Sequence, residues 1–202
     1  MLPIPLHQPL FVLASTSPRR RELLDTLGLA YEVADNPWTE EPHEGERPRR
    51  QAQRLSQEKL AQYRSTHPEN QLPVLTADTL VALDGKVLNK PANVSEAERW
   101  HRQLAGRKHL VVTAVCLGLS SGRVVRRTVT TVVKFLPWNE KLYLDYLKTG
   151  EWQGAAGGYR IQETGSRLVD RINGSWSNVV GLPLAEVYGI ICSHLTIPGP
   201  QS

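Results

Sequence analysis

The sequence predicts an α/β protein with a mixed, twisted sheet flanked by helices, and three observations carry that prediction. Short apolar runs with strand character alternate with amphipathic stretches, a two-residue hairpin signal interrupts the alternation, and neither an internal repeat nor a long linker divides the chain. At 202 residues the chain can bury one good core or two closely joined lobes. The expectation is one domain over 1–202, with short tails at 1–9 and 196–202 and a site in a central cleft between lobes.

The elements follow in order. Residues 11–14 read as the end of a short buried strand. Ser17 and Pro18 then open a helix, Ser17 as N-cap and Pro18 at the first helical position, where its missing N–H costs nothing. Leu23, Leu24 and Leu27 give this helix one buried face, and Gly28 stops it. Residues 31–34 suit a second strand, 35–50 an exposed loop, 50–63 a polar helix and 67–73 a connection. The run 74–83 is a strongly apolar strand. Asp84-Gly85 is a type I′ hairpin signal that returns the chain through 86–88 to a stop at Pro91. Asn93 with Glu96 has capping-box spacing and opens a helix to about Leu104. Two β-rich runs, 109–119 and 123–135, are joined by Ser120-Ser121-Gly122. Asn139 starts a helix ending near Gly150. A glycine-rich segment, a strand near 166–172 and a helix from about Pro183 complete the chain.

Composition narrows the partners. A net charge of +4 suits a polyanion, but no basic run is interleaved with aromatics, which disfavours nucleic acid. No stretch approaches the roughly 20 apolar residues of a membrane helix, and the first residues lack the basic and apolar regions of a signal peptide. The expectation is a cytoplasmic protein without membrane or stable nucleic-acid partners. Cys116 and Cys192 lie far apart in apolar surroundings and read as reduced core residues, and the histidines form no ligand-spaced pair.

Charge in unusual places marks the chemistry. Arg19, Arg20 and Arg21 fill the first turn of a helix, where free N–H groups and the macrodipole already disfavour cations. Such a start makes sense if an anion sits there, phosphate being the usual one. Asp78 is the only charge in its strand and must find a cation, a metal or a proton if buried. Lys59 and Lys90 are bland taken alone. Glu40, Glu41, Glu44 and Glu46 form an acidic loop cluster whose oxygens suit Mg²⁺ or Mn²⁺, completed by Asp78 and phosphates. The segment 150–162 looks like a close-approach loop without a P-loop ending, and Gln162 offers an amide edge suited to a base. Segments 173–175 and 179–184 read as architectural turns before a helix.

Six separated motifs combine these features: Leu-Ala-Ser-Thr-Ser-Pro-Arg-Arg at 13–20, Leu-x-x-x-Lys at 55–59, Ala-Asp-Thr at 77–79, Lys-Pro at 90–91, Ala-Gly-Gly-Tyr-Arg-Ile-Gln at 156–162, and Gly-Ser-Trp-Ser-Asn-Val-Val-Gly-Leu-Pro-Leu at 174–184. In this order and spacing, over about residues 10–190, the chain resembles the Maf family of nucleoside triphosphate pyrophosphatases. The resemblance implies an ITPase-like fold and hydrolysis of a nucleoside triphosphate between its α and β phosphates. It implies that Ser15, Arg19, Arg20, Lys59 and Lys90 hold the triphosphate. Glu41 would share a divalent metal, Mg or Mn, with Asp78, and Asp78 would accept the proton of the attacking water. Arg19, Thr79 and Gln162 match the dTTP/UTP branch; the 7-methyl-GTP branch has Trp after Ser-Pro and Glu in place of Gln162. A homodimer is the family expectation. The family's link to septum formation implies a second reading, a nucleotide-binding regulator of cell division with little catalysis, which the complete Asp78, Lys59 and Lys90 set disfavours. The chain departs from the family pattern at Ala155, at Arg160 and Glu163, where small residues are common, and in the loop before Glu41.

Overall fold

The computed structural model describes residues 8–37, 43 and 45–197. The expected tails therefore lie mostly outside the described residues. The described chain runs β1 (Val12–Ala14), α1 (Pro18–Asp25), β2 (Glu32–Ala34), α2 (Pro48–Thr66), β3 (Val74–Leu83), β4 (Lys86–Leu88), α3 (Val94–Leu104), β5 (Lys108–Gly118), β6 (Val124–Phe135), α4 (Glu140–Lys148), β7 (Val169–Asn173), α5 (Trp176–Val180) and α6 (Leu184–His194). The strands form a seven-stranded mixed sheet of order β2-β1-β3-β5-β6-β7, with β4 also on β3. β1 is parallel to β2 and β3, and the other pairings are antiparallel.

Local chemistry explains the boundaries. Asp84 (φ 50°) and Gly85 (φ 79°) take the paired left-handed conformations of the hairpin turn. Asn93 accepts from the Glu96 N–H at 2.9 Å, while Glu96 reaches back one residue further than in a standard box, to the Ala92 N–H. α2 starts at Pro48, slightly before the polar stretch suggests, because proline is a favoured opener. The strand expected near 166–172 begins only at Val169, since 164–168 coil into a 3₁₀ turn. α5 falls mostly between the two segments read as turns, 173–175 and 179–184, where the sequence reading places no element; Ser175 Oγ caps it at the Asn178 N–H.

Strand alternation assigns the two faces of β3 to different partners. On one face lies α2, whose Ala52 and Leu55 pack with Leu80, Val112 and Ala114. Burying a leucine there contributes about 1.5–3 kcal/mol. The other face joins the main core, which takes Leu75, Ala77 and Val81 together with buried residues of α3, α4 and α6. Cys116 is buried as expected, but Cys192 is exposed, because it falls on the outer side of α6.

Two buried histidines fasten the glycine-rich segment to this core. His101 Nε2 donates to the Gly158 carbonyl at 2.7 Å, and His109 Nε2 meets the Tyr159 hydroxyl at 2.9 Å. Gly157 (φ +67°) has no room for a side chain, since a Cβ would stand 2.7 Å from Val81 Cγ1. Burial lowers the pKa of His101 to about 4 and of His109 to about 3. Below the ordinary value of 6.5 the unfolded chain takes up protons that the folded chain refuses, so stability falls as pH drops from 6.5 toward 4. Each histidine contributes at most about 1.4 kcal/mol per pH unit in that window. His109→Gln is expected to flatten the dependence of the unfolding free energy on pH between 4 and 6.5 in urea titrations. An unchanged slope would contradict this origin.

Candidate active site

A break in the pairing of β3 creates the site. β1 pairs with β3 only at Val74 and Leu75, and β4 only at Val81–Leu83, while β5 covers the opposite edge from Val74 to Ala82. One edge of β3 is thus left without a strand from Thr76 to Leu80. A cleft of about 410 Å³ lies in this notch, lined by residues 14–20, Asn36, Lys59, Asp78, Thr79, Val81, Lys90, 154–156, 159–162 and 179–181.

Asp78 sits mid-strand on the face covered by α2. The α2 residue one turn beyond the buried Leu55 is Lys59, and its Nζ donates to Asp78 Oδ1 at 2.5 Å. The second carboxylate oxygen, Oδ2, is buried without a hydrogen-bond partner. One oxygen is therefore fixed by an ammonium, while the other is buried and unpaired beside the cleft.

Thr79 points to the opposite face, where its hydroxyl donates to the Gly181 carbonyl at 3.2 Å and meets the Thr113 hydroxyl at 3.0 Å. Arg20, from the first turn of α1, links both sides of the site. Its Nε donates to the Gly181 carbonyl at 3.0 Å, and its two terminal nitrogens donate to Ser15 Oγ at 3.3 Å and Thr79 Oγ1 at 3.2 Å. Ser15 Oγ also accepts the Ser17 N–H at 3.2 Å, which shapes the turn between β1 and α1. Arg19 donates to the Gly154 carbonyl at 3.3 Å, whereas Arg21 does not line the cleft.

Among the described lining residues, Arg19, Arg20, Lys59, Lys90 and Arg160 are cationic and Asp78 is the one carboxylate. Burial pushes the Lys59 ammonium below the ordinary lysine range; Arg20 and Lys90 push it further, and Asp78 opposes them. Burial also lowers the Arg20 guanidinium, with Arg19 adding to the effect and Asp78 again opposing. For Arg19, burial acts first and neighbouring Arg160 second. Cations crowded and desolvated in this way are relieved by a polyanion, and the cleft's charge suits a phosphate chain.

The residues singled out from sequence converge closely. Ser15, Arg19, Arg20, Lys59, Asp78, Thr79, Lys90 and Gln162 all line the cleft. Glu40, Glu41 and Glu44 lie outside the described residues. Glu46, grouped with them as an oxygen ligand, is instead committed to Arg54 at 2.8 Å. Asn36 was assigned to an exposed loop but is only 7% exposed, and its amide donates to the Lys59 carbonyl at 2.9 Å. No motif marks it, since a single Asn in a polar loop carries no periodic signal. The sequence marks the turn at 181 only as architecture, yet its carbonyl holds both Arg20 and Thr79. That signal was out of reach because backbone oxygens are common to every residue type.

A family model described as "Maf-like protein" matches residues 10–194. A protein of Cereibacter sphaeroides named dTTP/UTP pyrophosphatase is 43% identical over 90% of this chain and 93% of its own length. One of the same name from Photorhabdus laumondii is 41% identical over 92% and 94% respectively. A solved nucleoside-triphosphatase / dITP/XTP pyrophosphatase from Mycobacterium abscessus aligns over 62% of this chain and 73% of its own, at 18% identity and a TM-score of 0.39.

The Lys59–Asp78 contact has a direct electrostatic readout. A lysine whose folded pKa lies below 10.5 binds fewer protons folded than unfolded in the window beneath that value, so stability rises with pH there. Asp78→Asn removes the charge that opposes the shift and is expected to widen the window. Titration of the Lys59 Nζ resonance by NMR should therefore give a lower pKa in Asp78→Asn than in the parent. An equal or higher value would mean that Asp78 does not set the charge state of Lys59.

Proposed function

The chain belongs to the Maf family, and from that premise we propose that its cleft binds dTTP or UTP and hydrolyses it between the α and β phosphates, releasing the nucleoside monophosphate and pyrophosphate. The observation that carries this reading is the half-committed carboxylate of Asp78, held by Lys59 at the unpaired edge of β3 among five cations. The name shared by the relatives supports the choice of pyrimidine triphosphates.

The chain's own groups divide the work. Ser15, Arg19, Arg20, Lys59 and Lys90 hold the triphosphate, and the fixed positive charge of the two arginines and two lysines offsets the charge that develops on the phosphates during hydrolysis. A helix N-terminus contributes only about 0.3–1 kcal/mol at an exposed site, so α1 alone cannot do this. Asp78 Oδ2 orients the attacking water and accepts its proton, while Oδ1 stays on Lys59. Thr79 acts through Gly181 and Arg20, since its hydroxyl is already engaged by both. Gln162 reads the base.

A divalent ion fits this site in one respect that the structure makes testable: Asp78 Oδ2 is a buried anionic oxygen without a partner. Among the described residues no group of three or more His, Cys, Asp or Glu side chains could hold a metal. The resemblance gives Glu41, outside the described residues, as the protein ligand that would share Mg²⁺ or Mn²⁺ with Asp78 and phosphate oxygens. When bound, the ion supplies charge neutralisation on the phosphates and a more acidic water.

The same reading takes the chain as one domain acting as a homodimer in the cytoplasm, where two free cysteines suit a reducing environment. Among the described residues, no helix is long and apolar enough to cross a membrane.

The first test is pyrophosphate release from dTTP, UTP, CTP, GTP and 7-methyl-GTP, with Mg²⁺ or Mn²⁺ and with chelator. Metal-dependent turnover led by dTTP and UTP is expected. Turnover led by 7-methyl-GTP would overturn the specificity, and nucleotide binding without turnover would favour a regulator. Asp78→Asn should keep its fold by circular dichroism and lose about 10²–10⁴-fold in kcat; near-parental turnover in that variant would sink the mechanism. Gln162→Ala should raise KM for dTTP and UTP about tenfold while affecting the other triphosphates less. A uniform loss across the panel would argue against base reading.

A further inference from the structure

Gln162 does not stand alone in its wall. Its Nε2 donates to Glu163 Oε1 at 3.3 Å. Glu163 is in turn held by Arg160, whose Nη1 lies 3.3 Å from Oε1 and 3.4 Å from Oε2, while Nη2 donates to the Gln153 carbonyl at 2.9 Å. The backbone at Arg160 is itself anchored, because its N–H donates to the Tyr146 hydroxyl at 3.1 Å. Gln162 and Arg160 line the cleft; Glu163 does not.

This arrangement removes a freedom that a glutamine ordinarily has. An amide can present either its oxygen or its NH₂, and the two orientations differ only by a rotation of the terminal torsion. A carboxylate accepts and cannot donate, so Glu163 takes the NH₂ and repels the amide oxygen. At the same distance a charged acceptor orients a donor more strongly than a neutral one. The oxygen is left without a protein partner among the described residues.

We propose that Glu163 is a positioning residue for base selection: it locks the Gln162 amide with its oxygen free, so that the cleft favours a base carrying a ring N–H over one carrying a ring-nitrogen lone pair. This rests on the reading of the cleft as a nucleoside triphosphate site. Uracil and thymine present an imide N–H at ring position 3 and are accepted. Cytosine presents a lone pair at that position and meets an acceptor with another acceptor. Arg160 supports the lock by keeping Glu163 in place, and Glu163 in return neutralises a guanidinium that would otherwise add one more free cation beside Arg19.

The ratio of kcat/KM for UTP over CTP tests the proposal, because a change in general phosphate affinity cancels from it. Glu163→Gln can donate as well as accept and frees the Gln162 amide to turn. The ratio is expected to fall about tenfold, through KM for UTP and not through kcat. The same substitution in a Gln162→Ala background should leave the ratio where Gln162→Ala alone puts it. An unchanged ratio in Glu163→Gln, or a further fall in the double variant, would overturn the proposal. Equilibrium binding of UTP and CTP in the presence of chelator gives the ratio of affinities without turnover, and Glu163→Gln is expected to lower it in the same direction. Turnover by the parent with no effect of Glu163→Gln sinks the positioning role alone. Binding that discriminates, without any turnover, keeps the role and sinks the hydrolytic reading. Failure to bind either nucleotide sinks both.

Discussion

The architecture depends on a strand that is paired fully on one edge and interrupted on the other. β5 fixes β3 along nearly its whole length, which lets β3 carry a charged residue in the middle of an apolar run without losing its place in the sheet. The opposite edge is covered only at its two ends, by β1 and β4. Everything of chemical interest collects in the interval between them. The β1–α1 turn arrives from one side, the exit of β4 with Lys90 from the other, and the segments at 154–162 and 179–181 close the walls.

Electrostatics in the notch follow from this placement. A lone Asp78 in a strand interior would be costly, and Lys59 answers it from the buried face of α2. The arginines of α1 cannot pair with helix carbonyls at an N-terminus, so they reach outward to the carbonyls of Gly154 and Gly181. Those bonds satisfy donors without neutralising charge. The cleft is left ordered and positive at once, a condition under which a bound polyanion needs little rearrangement of the protein.

Much of this was legible in the chain. The strand at 74–83, the Asp84-Gly85 turn, and the Asn93 and Asn139 caps are dictated by local pattern and appear as read. The cleft residues were legible through charge in unfavourable places, above all Asp78 and the arginines of the first helical turn. What escaped depends on tertiary contact. Asn36 is buried only because α2 returns over the loop that carries it. Gly181 matters through a carbonyl, which sequence does not distinguish. Cys192 looked internal because its neighbours are apolar, yet a one-residue rotation on α6 places it outside. Glu163 stood out only as a departure, and its contacts with Gln162 and Arg160 became visible only in three dimensions.

Asp78 and Thr79 are neighbours in sequence but face opposite sides of the sheet, one toward α2 and the other toward the turn after α5. The two halves of the cleft therefore rest on different packing layers, with separate sets of core residues behind them. Mutations accumulating behind one layer leave the other largely undisturbed. A lineage built on this plan can diversify in what it recognises while its hydrolytic layer drifts little, or can lose hydrolysis and retain recognition.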